Sequence, residues 1–205
     1  IEKIAGFSPD IEKSRAEARK LLKEAGAEGL TFEMMNRDVD QPYKYLGTWL
    51  IDQWSRIGLH VTQRVVPTGP WFAALRSGDF SVSTGGNCHG IVNPLIDVQP
   101  WLPRSASNSN YGYYEDPQEF DIYDKMLRET DITKQRALMY QFVRRVLGEQ
   151  AHFILTFWWN RIVPLRSYVN GWKIGPSHYL NQDLSTIWLS PPHCGECTDE
   201  PRSVG

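Results

Sequence analysis

PYKYLGTWLIDQWSRIGLHVTQRVVPTGPWFAALRSGDFSVST, residues 42–84, reads as helix, strand, helix, strand in a single pass. Leu46, Leu50, Trp54 and Ile57 recur at helical spacing, and Pro42 suits a first helical position. Gly58 supplies the stop, and LHVTQRVV (59–66) follows as a strand. PWFAALRS (70–77) predicts a short helix closed by Gly78, and DFSVST (79–84) a third strand. Upstream, Asp10 can cap a helix over 10–25, with Ala18, Leu21, Leu22 and Ala25 on one face. Gly26 can end it in a left-handed turn, and LTFEMM (30–35) alternates as a half-buried strand. Residues 10–84 therefore run α-β-α-β-α-β. This order predicts an α/β fold: a mixed open sheet with helices on both faces.

Downstream, residues 85–116 are rich in Gly, Asn, Ser and Pro, with a short helix near Pro94–Leu102. A loop of this length in a compact domain is usually functional or mobile. Helices are expected over 117–129 and 133–147. Asp116 and Pro117 start the first, with Phe120, Tyr123 and Leu127 on one face. The second has Met139, Phe142, Val143 and Val146 on one face. HFILTFWW (152–159) reads as a buried strand, 161–166 and 184–189 as further short strands, and the chain after Ser190 as a poorly ordered tail.

Composition narrows the function classes. The chain has 205 residues, 41% of them hydrophobic, and a net charge of −2 from well-mixed acids and bases. That balance argues against the basic stripe of a nucleic-acid surface and against a polybasic membrane anchor. No apolar run approaches the ~20 residues of a membrane span. The chain starts at Ile1 without a Met or a signal peptide, like a trimmed piece of something longer. Three cysteines, Cys88, Cys194 and Cys197, make no disulfide framework. Cys194 and Cys197 with His193 fall short of the four ligands of a structural zinc site, so no metal and no cofactor is expected; tail thiols or a local disulfide account for the pair.

No phosphate loop, zinc-protease motif or nucleophile elbow is present, and no catalytic residue is assigned. The one cluster with chemical interest is Gly85-Gly86-Asn87-Cys88-His89-Gly90, beyond the carboxyl end of a strand. Open α/β sheets bind ligands there. Gly86 allows close backbone approach, while Asn87, Cys88 and His89 offer side-chain contacts; the alternative is a plain structural turn. Neighbours on an extended segment point to opposite sides, so Cys88 and His89 are badly placed as nucleophile and base. Trp71, Trp158 and Asn160 are further candidate ligand contacts; each Trp alternatively belongs to the core or covers an edge.

The order of these signals is similar to that of the peptide/nickel-type (family 5) solute-binding proteins of ABC importers. Residues 14–26 (SRAEARKLLKEAG) resemble that family's "EARKLLAEAG" helix, and WLIDQWSRIGLHVTQRVV (49–66) its helix–strand pair. WFAALRSGDF (71–80) resembles "f...l..GdFD", and Asn93-Pro94 its "dP". Asn110–Tyr113 with DPQEFD (116–121) resemble "N..gY.npefD", and Asp131–Val146 resembles "D..kR..ly..vqril". Gly171-Trp172 and DLSTIWL (183–189) resemble the closing "kG" and "l..vWl".

The resemblance implies the C-terminal portion of a two-lobed, type II clamp in the periplasm. Residues 1–160 would form the ligand-binding lobe, 161–190 the strands crossing the hinge to a missing N-terminal lobe, and 191–205 a flexible tail. It implies a non-enzymatic receptor that captures a small or peptide-like solute and hands it to a membrane permease. Peptide-binding members place an Asp before the "dP" motif to meet the ligand's amino group. Here no acidic residue occurs from Gly85 to Val92, and Asn93 replaces the acid before the proline. A buried ammonium needs a charge partner, so a neutral, anionic or sugar-like solute fits better than a free-amine peptide. The rival classes are a cytosolic α/β enzyme using Cys88 and His89, and a sensor built on the same clamp.

Overall fold

The computed structural model describes residues 6–86, 93–158, 162–175 and 183–190. The chain divides into two compact units: residues 1–86 with 99–154, and residues 87–98 with 155–205.

The first unit opens with α1 (Ile11–Glu24), whose Asp10 cap accepts the Lys13 N–H at 3.0 Å. Gly26 follows at φ 65°, the expected left-handed stop. Then come β1 (Thr31–Arg37), an irregular turn Asp40–Lys44, α2 (Tyr45–Ser55), β2 (His60–Val66), α3 (Thr68–Ser77) and β3 (Val82–Ser83). The irregular turn Asp40–Lys44 stands where the first turn of α2 is expected, and Gln41 within it is extended, at φ −113° and ψ 133°. A proline disfavours helical geometry in the residue before it. The three strands are parallel in the order β2-β1-β3. The α/β class stands, and among the described residues antiparallel pairing occurs only in the other unit.

β1 explains why both faces of this sheet are covered. Successive strand side chains point to opposite faces. Phe32, Met34 and Asn36 face α2: Phe32 meets Trp54 edge-on at 5.4 Å, and Met34 and Asn36 lie against Gly47. Met35 faces the other way and packs with Trp71, Ala74 and Leu75 of α3. Met34, Met35 and Asn36 are all fully buried.

Asn36 is the polar tie of this layer. Its Nδ2 donates to the Tyr43 carbonyl at 2.5 Å, and its Oδ1 accepts from the Thr84 hydroxyl at 2.5 Å and the Arg37 N–H at 2.9 Å. A Cβ on Gly47 would run into Asn36 Nδ2 and Gln63 Nε2. Gly47→Ala is expected to destabilise the chain by roughly 1–3 kcal/mol, through overpacking and a disturbed buried amide. A drop in urea midpoint at constant m-value checks this.

The rest of the first unit holds a short 3₁₀ turn (Gln99–Trp101), a stretch of turns and loop over 102–116, then the long helices 117–128 and 132–144 joined as a hairpin and extended by a wide turn, Arg145–Glu149. Asp116 caps the helix at 117–128 with Pro117 at its first position, as its sequence predicts. Its buried face differs from the expected one. Glu119, Tyr123 and Met126 point inward, whereas Phe120 and Leu127 are 44% and 52% exposed. Phe142 on the partner helix and Val146 in the wide turn after it are fully buried, as the apolar pattern predicts.

The second unit holds a four-residue helix, Pro94–Asp97, and an antiparallel ribbon of Val169–Asn170 with Trp188–Leu189. Asn93 caps the helix through Leu95 N–H at 2.9 Å, a role an Asp would share. Gly171 turns the ribbon at φ 72°, where a Cβ would strike the Thr186 carbonyl.

The expected strand at 152–159 is not formed over 152–158: Ile154, Phe157 and Trp158 are exposed, and no ladder pairs with them. An apolar, β-prone run becomes a strand only where an edge is free to pair along it. Of the described part of 161–166 none is strand, and at 184–189 only the last two residues pair. The tail from residue 191, and its cysteines, lie outside the described residues.

Candidate ligand-binding site

The carboxyl edge of the parallel sheet is where an α/β fold leaves backbone and side chains converging on open space. β1 ends here on Arg37, β2 on Val66, and β3 leads through Thr84 to Gly86. The turn into α2 brings Tyr43 across this edge, and the first turn of α3 brings Thr68, Trp71 and Phe72.

Arg37 is held at the centre. Its Nε donates to Thr68 Oγ1 at 3.0 Å and its Nη1 to Tyr43 Oη at 3.4 Å. The guanidinium lies 5.2 Å from the Tyr43 ring and 5.8 Å from those of Trp71 and Phe72. Those rings pack edge-on, Tyr43 to Trp71 at 5.8 Å and Trp71 to Phe72 at 4.8 Å. Such a box orients the cation and favours it electrostatically. Among the described residues no carboxylate lies within ion-pair distance of Arg37. The neighbouring acids Asp38 and Asp40 pair with Lys44, at 2.6 and 3.1 Å. A half-buried, pre-oriented guanidinium without a carboxylate partner suits a planar anion, to which Arg presents a fork of donors.

Two sequence candidates fall here. Gly86 sits within van der Waals reach of Tyr43: a Cβ on it would lie 3.6 Å from the phenol oxygen. Trp71 is only 3% exposed and packs into the core with Met35, Ala74 and Leu75. It therefore packs beneath Arg37 with its ring in the core. Its indole Nε1 is buried and has no hydrogen-bond partner among the described residues. Trp158 is 80% exposed in the second unit. Asn87, Cys88, His89 and Asn160 lie outside the described residues. Arg37 and Tyr43 were missed in the sequence because the strand was ended at residue 35. Two more strand residues would have placed Arg37 at the carboxyl edge. An open depression of about 350 Å³ at the other end of α3, lined by Ser77, Phe80, Ser81 and Tyr111–Tyr113, offers no charged group.

Solved structures share this architecture. The periplasmic binding protein DppA of Helicobacter pylori, in complex with the peptide STSA, matches at TM-score 0.67 and 19% identity, over 91% of this chain and 36% of that one. HbpA2 of Haemophilus parasuis matches at TM-score 0.64 and 18% identity, over 93% and 39%. The chain has the fold of the peptide/nickel-type solute-binding proteins. Di/tripeptide-binding protein 4 of Pseudomonas aeruginosa (strain UCBPP-PA14) is 26% identical over 194 residues, 92% of this chain and 35% of that protein. No protein-family model matches the chain. The chain thus spans about a third of the length of these relatives.

Proposed function

We propose that this chain is the ligand-contacting lobe of an extracytoplasmic solute receptor for an ABC importer. It captures a small solute bearing a carboxylate or similar anion, without chemical conversion, and delivers it to a membrane permease. The observation that carries the reading is Arg37, boxed by aromatic rings at the sheet's carboxyl edge with no carboxylate partner among the described residues. The absence of an acid from Gly85 to Val92 adds to it, since an ammonium group would find no partner on that stretch. A similarity to a di/tripeptide-binding protein is compatible with this reading if a peptide is held by its carboxylate end.

The solute is closed in from the far side by an N-terminal lobe, as in a hinged clamp. Residues 161–190 return toward that lobe, which accords with the exposure of Ile162, Ile174, Leu184, Trp188 and Leu189. Among the described residues no helix is long and apolar enough to cross a membrane.

Mass spectrometry of small molecules co-purifying with the receptor, the chain together with its N-terminal lobe, tests the proposal. An acidic solute is expected with the parent protein. Arg37→Met should lower its recovery and affinity at least tenfold, since a hydrogen bond to a charged group contributes about 1.5–3 kcal/mol. A tight solute without an acidic group, or one retained equally by the variant, would sink the reading. Chemical turnover that Cys88→Ala abolishes would point to the enzyme class instead.

A further inference from the structure

A second cluster lies at the start of the helix 117–128, away from the sheet edge and unused by the proposed function. Asp116 is its N-cap and Glu119 stands in its first turn; His152 follows the wide turn Arg145–Glu149. All three belong to the first unit. His152 Nε2 lies 3.9 Å from Asp116 Oδ2 and 4.0 Å from Glu119 Oε2, and one ligand atom from each residue falls within 4.8 Å of the others.

The hydrogen-bond inventory of this cluster is incomplete in one direction. Asp116 is well satisfied: Arg145 Nε and Nη2 donate to it at 2.6 and 2.8 Å, and the N–H groups of Gln118 and Glu119 at 3.1 and 3.2 Å. Glu119 is not. It is fully buried, and neither carboxyl oxygen has a hydrogen-bond partner among the described residues. The His152 Nε2 is also buried and has no hydrogen-bond partner among them. Its ring is held flat against Tyr114, at 3.6 Å and 7°. Buried polar atoms are nearly always paired, and each exception calls for a cause. Here the unpaired atoms face one another, with two carboxylates and an imidazole as the donor set.

We propose that Asp116, Glu119 and His152 form a binding site for one divalent transition-metal ion of the zinc or cobalt type. Ligand atoms ~2.1 Å from a tetrahedral ion lie about 3.4 Å apart, so the two separations from His152, 3.9 and 4.0 Å, close onto an ion with a shift of about half an ångström each, and the widest separation in the set, within 4.8 Å, with at most about 1.4 Å. Asp116 Oδ2 accepts one hydrogen bond, from Arg145 Nε, and retains a lone pair. Asp116, Glu119 and Arg145 together carry one net negative charge when both acids are ionised, which a dication offsets. The imidazole selects transition metals over calcium and magnesium, which prefer all-oxygen cages. Three protein ligands leave a fourth position for water.

Isothermal titration of the chelator-stripped full chain with Zn²⁺, and the visible spectrum with Co²⁺, test this. One ion per chain is expected, with tetrahedral cobalt bands and a rise in Tm on binding. Glu119→Gln and His152→Ala should each weaken binding by about 10–100-fold, while a Cys194→Ser/Cys197→Ser variant should keep the site intact. Two ligand variants are used so that a folding failure in one, read by circular dichroism, leaves the other informative. No saturable binding at about 100 μM ion, or binding that survives both ligand substitutions, overturns the proposal. Loss of all binding with the two cysteines replaced would assign the ion to the tail and overturn it equally.

Discussion

Replacing Arg145 with Met is expected to destabilise the chain by about 3–5 kcal/mol at neutral pH, the range for removing one partner of a buried ion pair. Arg145 and Asp116 qualify as such a pair, with side chains 16% and 5% exposed and a two-pronged contact. Asp116 also accepts the first N–H groups of the helix 117–128, so its charge is fixed in place when the guanidinium is lost. Burial pushes the Asp116 carboxyl up, but the Arg145 hydrogen bonds and the backbone N–H groups outweigh it and hold the carboxyl below its ordinary 3.8. A depressed carboxyl contributes its stability in full above the unfolded value and loses it as pH falls through the folded one. The gap between parent and variant should therefore be widest at neutral pH and narrow only below about pH 4. Urea titrations across that range check both size and direction; an unchanged midpoint at neutral pH would contradict the pairing.

Glu119→Met should act in the opposite sense. In the metal-stripped chain, burial and then the charge of Asp116 push the Glu119 carboxyl up to about 8, against a smaller opposing pull from Arg145. The folded state then holds a proton that the unfolded state has released between the ordinary 4.5 and about 8. Stability from this group is complete below the lower value and falls as pH rises, by up to about 1.4 kcal/mol per pH unit. Met has similar volume and no charge to bury. The variant should gain about 1–4 kcal/mol over the parent near pH 8, with little difference near pH 4.5, and should lose the alkaline decline. Measurements are made with chelator present, since a bound cation would ionise Glu119 and offset its burial. A variant less stable than the parent at pH 8 would show that the carboxyl is satisfied by contacts other than those described.

The two residues also explain why this region was only half legible in the sequence. The helix 117–128 was readable from Asp116-Pro117 at its start and from its apolar spacing. The face was not. Phe120, Tyr123 and Leu127 fit a helical stripe as well as Glu119, Tyr123 and Met126 do, and hydrophobicity favours the first set. The chain takes the second, in which a glutamate replaces an apolar side chain at a buried position. A pattern that scores apolar residues cannot find a buried acid whose environment is supplied by Arg145 and His152, 26 and 33 residues further on.

The same division holds for the carboxyl edge of the sheet. Gly86 was placed by the rule that α/β sheets bind at their carboxyl ends, whereas Arg37 depended on where β1 stops. Trp71 had two open readings, and only the packing of α3 on Met35 assigned its ring to the core.

The sequence by itself determined the order of elements from residue 10 to 84, the glycine stops at Gly26, Gly58 and Gly78, and the caps at Asp10 and Asp116. These follow from contacts within a turn or two of the chain, which local residue types specify. It also carried the ordered resemblance to solute-binding proteins. Tertiary structure alone decided which side chains meet across long separations: Arg37 with Thr68, Arg145 with Asp116, His152 with Tyr114. It decided too that the apolar run from His152 to Trp158 stays unpaired, because a strand is completed by its neighbour's hydrogen bonds and not by its own residues.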